Sequence, residues 1–298
     1  MKRTVAWISC ILLCIVLSVP ALAAATEQEL TALTEEEQAL WYAKYYHETP
    51  ASPGESVLAA LQSPMDAEDI IAPEDIAKLF DFETPFVSGY AVMDNGVTYS
   101  AVETVFEGVT LDMYRWYQSW SAAQENQQLI YKIWFPGKHV KQELLNGTMW
   151  IQEDIGMGIE NIFATGTASL SSLGLSGLVE NNDSILMAMV TKSISTLAAG
   201  TLDDNPIPSS LIHIYYVNDD GYVTDRVAAW FGGSFVNGSF MVNVNGNEHS
   251  AAARAKGMAE HMAGEDANMA AVIREVYEEN RDTFTASGNM GASSGEPS

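Results

Sequence analysis

Four side chains, His139, Glu153, His261 and Glu265, could do metal chemistry if the fold brings them together. In "HMAGE", His261 and Glu265 lie four residues apart within a segment of helical spacing, so they share one face. Along that face lie Met258, Met269, Val272 and Val276, the side expected to turn inward. An ionisable pair placed there must be satisfied, either by its own members or by a metal. By itself the pair reads as a helix-stabilising one. His139 follows the Pro136-Gly137 turn in "YKIWFPGKHVKQ", and Glu153 interrupts the apolar run "TMWIQEDIG". A catalytic divalent site takes three or four nitrogen or oxygen ligands, and these four residues are of the right type. Spacing over such distances leaves both readings open. The chain has no H-E-x-x-H, no P-loop and no complete G-x-G-x-x-G.

The elements that must position these residues are legible as changes of period. Residues from Glu27 to Leu61 read as helical, with an aromatic cluster Trp41, Tyr42, Tyr45 and Tyr46 and a break at "ETPASPGE". "PEDIAKLF" reads as a second short helix opened by Pro73. Together they predict a small N-terminal helical arm or subdomain over residues 24–84, in which His47 pairs at the surface with Glu48. From Phe86 the alternation around Asn95-Gly96 predicts a hairpin. "TLDMYRWYQSWSAAQ" is helical in spacing, and "LIYKIWF" reads as a strand ending at the Pro136-Gly137 turn. Strand-like runs follow at "TMWIQEDIG", "ENIFATGTA", "ILMAMVTKSIS", "LIHIYYV", "YVTDRVAAWFGG" and "SFMVNV". A helical pattern without proline then runs for about 35 residues to Phe284. The fold class expected is α+β, a curved antiparallel sheet around one long C-terminal helix, spanning residues 85–284. The polar stretch 285–298 reads as a flexible tail.

Composition narrows the partners. Lys2 and Arg3, the apolar run Val5 to Val19, and Pro20 before "ALAAA" read as a Sec-type signal peptide over residues 1–23. The expected location is therefore secreted or periplasmic, without stable membrane insertion once the signal is cleaved. Both cysteines, Cys10 and Cys14, lie within that run, so the remaining chain offers neither thiolate ligands nor a cysteine nucleophile. The formal charge is −25 and becomes about −27 without Lys2 and Arg3, which disfavours nucleic acid and anionic surfaces.

The segments "GYAVMDNGVTYSAVETVFEGVTLDMYRWYQSW", "YKIWFPGKH", "EDIGMG", "LIHIYYV" and "MAEHMAGEDANMAAVIREVYEEN" resemble the 2,4-diacetylphloroglucinol hydrolase and phloretin hydrolase family over roughly Pro85 to Asp282. The resemblance implies a Bet v 1-like helix-grip fold and a zinc-dependent enzyme cutting the carbon–carbon bond between an acyl group and a phenolic ring. It implies Zn²⁺ ligation by His139, Glu153, His261 and Glu265, with Glu160 as the substitute for Glu153. It implies catalytic roles for His213 and Tyr131, although a buried, hydrogen-bonded strand histidine remains an alternative reading of His213. Tyr131, Gln142 and Trp230 are the implied substrate-binding residues. "DRVAAW" keeps Arg226 and Trp230 of a family run and replaces the positions between them with small residues. The partner implied is a small aromatic ketone, with a homodimer left open. A non-catalytic helix-grip binding protein for an aromatic or lipid-like ligand is the competing function, and a structural protein with packed histidines is the third.

Overall fold

A computed structural model of the chain describes residues 30–145, 148–155, 162–179, 184–198, 201–202, 207–244 and 248–284. The signal peptide, the tail and Glu160 lie outside the described residues. The fold is mixed α+β, built on a nine-stranded antiparallel sheet and a long C-terminal helix. The strands are β1 (Gly89–Val92), β2 (Thr98–Thr110), β3 (His139–Leu145), β4 (Thr148–Glu153), β5 (Ile162–Ala168), β6 (Ile185–Ala198), β7 (Thr201–Leu202), β8 (Ile207–Val217) and β9 (Tyr222–Phe231). Their order is β1-β2-β9-β8-β6-β5-β4-β3, with β7 paired to β6. A separate hairpin joins β10 (Gly233–Val236) to β11 (Ser239–Val242). The helices are α1 (Glu35–Gln38), α2 (Glu55–Ala60), α3 (Leu111–Ala122), α4 (Gln127–Trp134) and α5 (Glu248–Asn280). No helix among the described residues is long and apolar enough to cross a membrane.

The centre of the sheet is covered on both faces. On one, Val102, Leu211, Val227, Ala229 and Phe231 pack against Ala255, Met258, Ala259, Met262 and Ala263 of α5. On the other, Tyr99, Ala101, Ile212, Ile214, Ala228 and Trp230 pack against Ile76, Leu79 and Phe80 of a 3-10 segment, Pro73–Phe80. Burial on both faces explains why Val227 to Phe231 of β9 form an unbroken apolar run instead of alternating. Helix α5 packs chiefly on β2, β1 and β9, at one end of the sheet order.

Three sequence-based expectations need correction. "LIYKIWF" is helical, not extended, as part of α4. A short apolar run fits a buried strand or a buried helix equally well, and here the local cap decides. The Asn126 side chain accepts from the Leu129 amide at 2.9 Å to start the helix, which stops at Phe135 ahead of Pro136 and of Gly137 at φ +77°. In the Glu27–Leu61 region, read as helical around the break at "ETPASPGE", the described residues are helical only in short pieces. Thr34 and Glu37 form a capping box for α1, a 3-10 turn spans Trp41–Tyr45, and α2 follows after an irregular stretch. Tyr42 and Tyr45 are buried against Trp120 of α3, in the same core that holds Val272, Ile273 and Val276 of α5. His47 bonds Glu275 of α5 at 2.7 Å, not its neighbour Glu48.

One ion pair fastens this region from inside. Lys132 of α4 donates to Glu37 Oε2 and to the Ala32 carbonyl, both at 2.8 Å, with the two side chains 6% and 4% exposed. Removing one partner strands the other charge in the core. Lys132→Met and Glu37→Leu should each destabilise by about 3 kcal/mol or more, whereas the double substitution should lie within about 1 kcal/mol of the parent. Denaturant midpoints of the four proteins check this.

Candidate metal centre

Each sequence-identified donor reaches one buried point by a separate local device. Helix α4 ends at Pro136-Gly137, and the chain turns back so that the His139 amide bonds the Phe135 carbonyl at 3.0 Å. His139 then opens β3, where the β3–β4 register sets it opposite Glu153. His261 and Glu265 are one turn apart on α5. All four residues are buried, and one donor atom from each lies within 4.8 Å of the others.

The hydrogen bonds fix which imidazole nitrogen is free. His139 Nδ1–H donates to the Tyr131 carbonyl at 2.8 Å, and His261 Nδ1–H donates to the Asp154 carbonyl at 3.1 Å. A carbonyl can only accept, so in both neutral rings the proton sits on Nδ1 and Nε2 presents a lone pair. Both Nε2 atoms are buried without a hydrogen-bond partner. They face carboxylate oxygens: His139 Nε2 lies 3.4 Å from Glu265 Oε2 and 3.7 Å from Glu153 Oε1. His261 Nε2 lies 3.6 Å from Glu153 Oε2 and 3.9 Å from Glu265 Oε2. Lone pairs facing anions in a dry site repel unless positive charge sits between them. Ligands about 2.0–2.1 Å from a tetrahedral zinc stand about 3.3 Å apart, so the observed edges describe a slightly open cage for a divalent ion. The donor set therefore fits a metal.

Neighbours hold the donors in place. Tyr131 stacks on His139, ring centres 4.2 Å apart, and its hydroxyl donates to Glu153 Oε1 at 2.7 Å. Burial first and then the Glu153 charge hold the phenol well above its usual pKa, so it acts as a neutral donor. Phe135 meets His139 and His261 edge-on, at 5.9 and 5.1 Å. It fits there because residue 264 is glycine: a Cβ at Gly264 would stand 2.5 Å from Phe135 Cζ. Burial raises the Glu265 carboxyl, and His139, His261 and His213 pull it below its ordinary range only when their rings carry a second proton.

His213 joins the same region from β8. Its Nε2 lies 3.9 Å from Glu265 Oε1, while Nδ1–H donates to Asp225 Oδ2 at 2.7 Å. Burial lowers the affinity of His213 for its proton, and Asp225, Glu265 and Glu153 more than reverse this, to a pKa of about 9. Behind it lies Asp266, whose carboxyl is pushed well up by burial and then by Asp225 and Glu265. His213, Asp225 and Asp266 form a second buried group of possible ligands. Asp225 and Asp266 were not singled out in the sequence. The signal was available in the hairpin: a β8–β9 turn at residues 218–221 sets Asp225 opposite Tyr215, and hence on the face of His213.

Next to this centre is a cavity of about 200 Å³, with Tyr131, Trp134, Gln142, Met187, Tyr215 and Met269 among its walls and, among the described residues, no charged side chain lining it. Two of these, Tyr131 and Tyr215, stack on His139 and His213. Gln142 is thus at the cavity, where its side chain also donates to the Gln127 carbonyl. Trp230 is not. It points from β9 to the opposite face of the sheet, fully buried, with its indole N–H donating to the Ile71 carbonyl at 2.9 Å. Arg226 shares that face, held by Glu103 and by the carbonyls of Leu79 and Asp81. Alternation along β9 separates both residues from the site.

Residues 71–278 match the family model described as the DAPG hydrolase PhiG domain. Over 216 residues, 64% of this chain, the sequence is 30% identical to a 2,4-diacetylphloroglucinol hydrolase of Pseudomonas protegens. A second protein of that name, from a Pseudomonas species, is also 30% identical over 216 residues. The matched part spans 66% of the first relative and 68% of the second, so about a third of each lies outside it.

The parent chain should carry a divalent ion through purification, and His261→Ala should abolish its retention, both read by elemental analysis. Gly264→Ala should weaken that ion about 10- to 100-fold against a competing chelator, although alanine is the better helix former, because Phe135 must move against both histidines.

Proposed function

From the premise that the chain belongs to the DAPG hydrolase PhiG domain family, we propose that it is a zinc-dependent hydrolase cutting the carbon–carbon bond between an acyl group and an electron-rich phenolic ring. The observation that carries this reading is the pair of buried, unpartnered Nε2 atoms on His139 and His261 facing Glu153 and Glu265. Two nitrogens and two carboxylates suit Zn²⁺, which when bound supplies a Lewis acid for the acyl carbonyl and brings the pKa of a water towards about 7.

The chain's own groups supply the rest. The uncharged cavity accepts a neutral ring and keeps bulk water from it, and the Gln142 amide at its wall orients a ring hydroxyl or the carbonyl. Tyr131 holds Glu153 and His139 in place while bordering the cavity, so its hydroxyl serves the ligands before it serves the substrate. In the overall reaction, water oxygen bonds to the acyl carbon and the aryl–acyl bond breaks with its electron pair on the ring carbon. A 1,3-dihydroxylated ring stores that pair as its keto tautomer. His213 Nε2, facing the centre, delivers the proton that the ring carbon takes up, and the products are a carboxylic acid and the deacylated phenol. Trp230, on the far face, has no part in this scheme.

The remaining assignments extend the proposal. Helix α5 rests on β2, β1 and β9 at one end of the strand order while its His261 and Glu265 meet His139 and Glu153 of β3 and β4 from the other, which supports a helix-grip architecture for residues 85–284. A secretory signal over residues 1–23 would put the activity outside the cytoplasm, a reading supported by Lys2 and Arg3 ahead of the apolar run Val5 to Val19.

Purified protein incubated with 2,4-diacetylphloroglucinol should release acetic acid, lose this activity on chelation and regain it with Zn²⁺. A zinc-loaded protein that releases no acid from any acylphloroglucinol, yet binds such compounds, would establish the binding-protein reading instead. His213→Ala should lower kcat by about 10²- to 10⁴-fold while retaining the metal.

A further inference from the structure

We propose that Asp225 is a positioning residue for this reaction, holding His213 in the one tautomer and orientation that aims Nε2 at the metal centre. The inference rests on the hydrolase reading above and adds a residue to it. Register provides the geometry: Tyr215 pairs with Asp225 and His213 with Val227, so His213 and Asp225 are diagonal neighbours on the sheet face that meets α5. The bond between them is the shortest of the three made by these site histidines, at 2.7 Å against 2.8 Å for His139 and 3.1 Å for His261. It is also the only one of the three to a carboxylate; His139 and His261 donate to neutral carbonyls. A charge-assisted bond to a rigid acceptor fixes a ring more tightly than one to a carbonyl.

Besides His213, Asp225 meets one other titratable group, an acid. Its side chain is fully buried, and Oδ1 has no hydrogen-bond partner. The polar groups around it are Thr104, directly opposite on β2, and Asp266 from α5. Burial and then Asp225 push the Asp266 carboxyl well up, so a protonated Asp266 and His213 are the two titratable partners that Asp225 faces. A carboxylate without a proton can only accept, which keeps one proton on His213 Nδ1 and leaves Nε2 as the nitrogen that can hand a second one to the ring carbon. This is the arrangement in which an acid orients a histidine without itself exchanging protons with substrate.

Asp225→Asn keeps the shape but lets the amide turn and donate, which favours the opposite tautomer. In the zinc-loaded protein we expect kcat to fall at least 100-fold, KM to change less than about threefold, and metal content and melting temperature to match the parent. On a His213→Ala background the same substitution should cost no further activity. ¹⁵N spectra of His213, taken at a pH where the ring is neutral, should show Nδ1 protonated and Nε2 not in the parent, and the reverse in Asp225→Asn. A variant within threefold of parental kcat, or one that loses metal along with activity, would overturn the proposal. So would a parental His213 protonated at Nε2 alone, a reading that requires neither turnover nor a folded variant. If the parent cleaves no acylphloroglucinol, the ring spectra still decide the role of Asp225 while the hydrolase reading falls separately.

Discussion

Two neutral imidazoles turning their lone pairs toward two carboxylates in a dry interior is the constraint around which the rest of the molecule is arranged. Such a grouping opposes folding until a cation enters, because buried anions without compensation are costly. Most of what surrounds it makes sense as support. The Tyr131 carbonyl and the Asp154 carbonyl choose the tautomers, the Tyr131 hydroxyl steadies Glu153, and Phe135 wedges against both rings in the space left by Gly264. A glycine in the middle of a helix weakens it by about 1 kcal/mol relative to alanine, and its presence one residue before Glu265 reflects that the aromatic wedge matters more.

The donors were legible because their signal is local. His261 and Glu265 declare themselves by helical spacing, and His139 and Glu153 by being polar in apolar surroundings at the edges of turns. The long terminal helix, the Asn95-Gly96 hairpin and most strands were readable for the same reason. What failed was whatever depended on an arbiter outside the segment. "LIYKIWF" fits a strand as well as a helix, and the Asn126 cap decided it. Trp230 was grouped with the substrate residues by resemblance, but alternation along β9 sends it to the other face. His47 found Glu275, distant in sequence, instead of Glu48 beside it. Asp225 and Asp266 were passed over because a lone aspartate has no pattern, and only strand register and helix packing reveal whom it meets.

The N-terminal segment is better integrated than its composition suggests. Tyr42 and Tyr45 enter the core beneath α3 and α5, Leu79 and Trp230 meet across the far face of the sheet, and Glu37 neutralises Lys132 on the helix that carries Tyr131. Lys132 and Tyr131 are adjacent, so the ion pair that fastens the segment also fixes the residue on which His139 leans. Scaffold and site therefore share one short helix.

The order of the strands gives the metal centre a mechanical meaning. Helix α5 rests mainly on β2, β1 and β9, whereas His139 and Glu153 arrive from β3 and β4 at the other end of the sheet. An ion gripping His261 and Glu265 on one side and His139 and Glu153 on the other works as a buckle, drawing the free edge of the sheet onto the helix. Its binding energy is then shared with the closure of that edge. Loss of the ion would be felt first as fraying of β3 and β4, an exposed strand edge of the kind that recruits other chains.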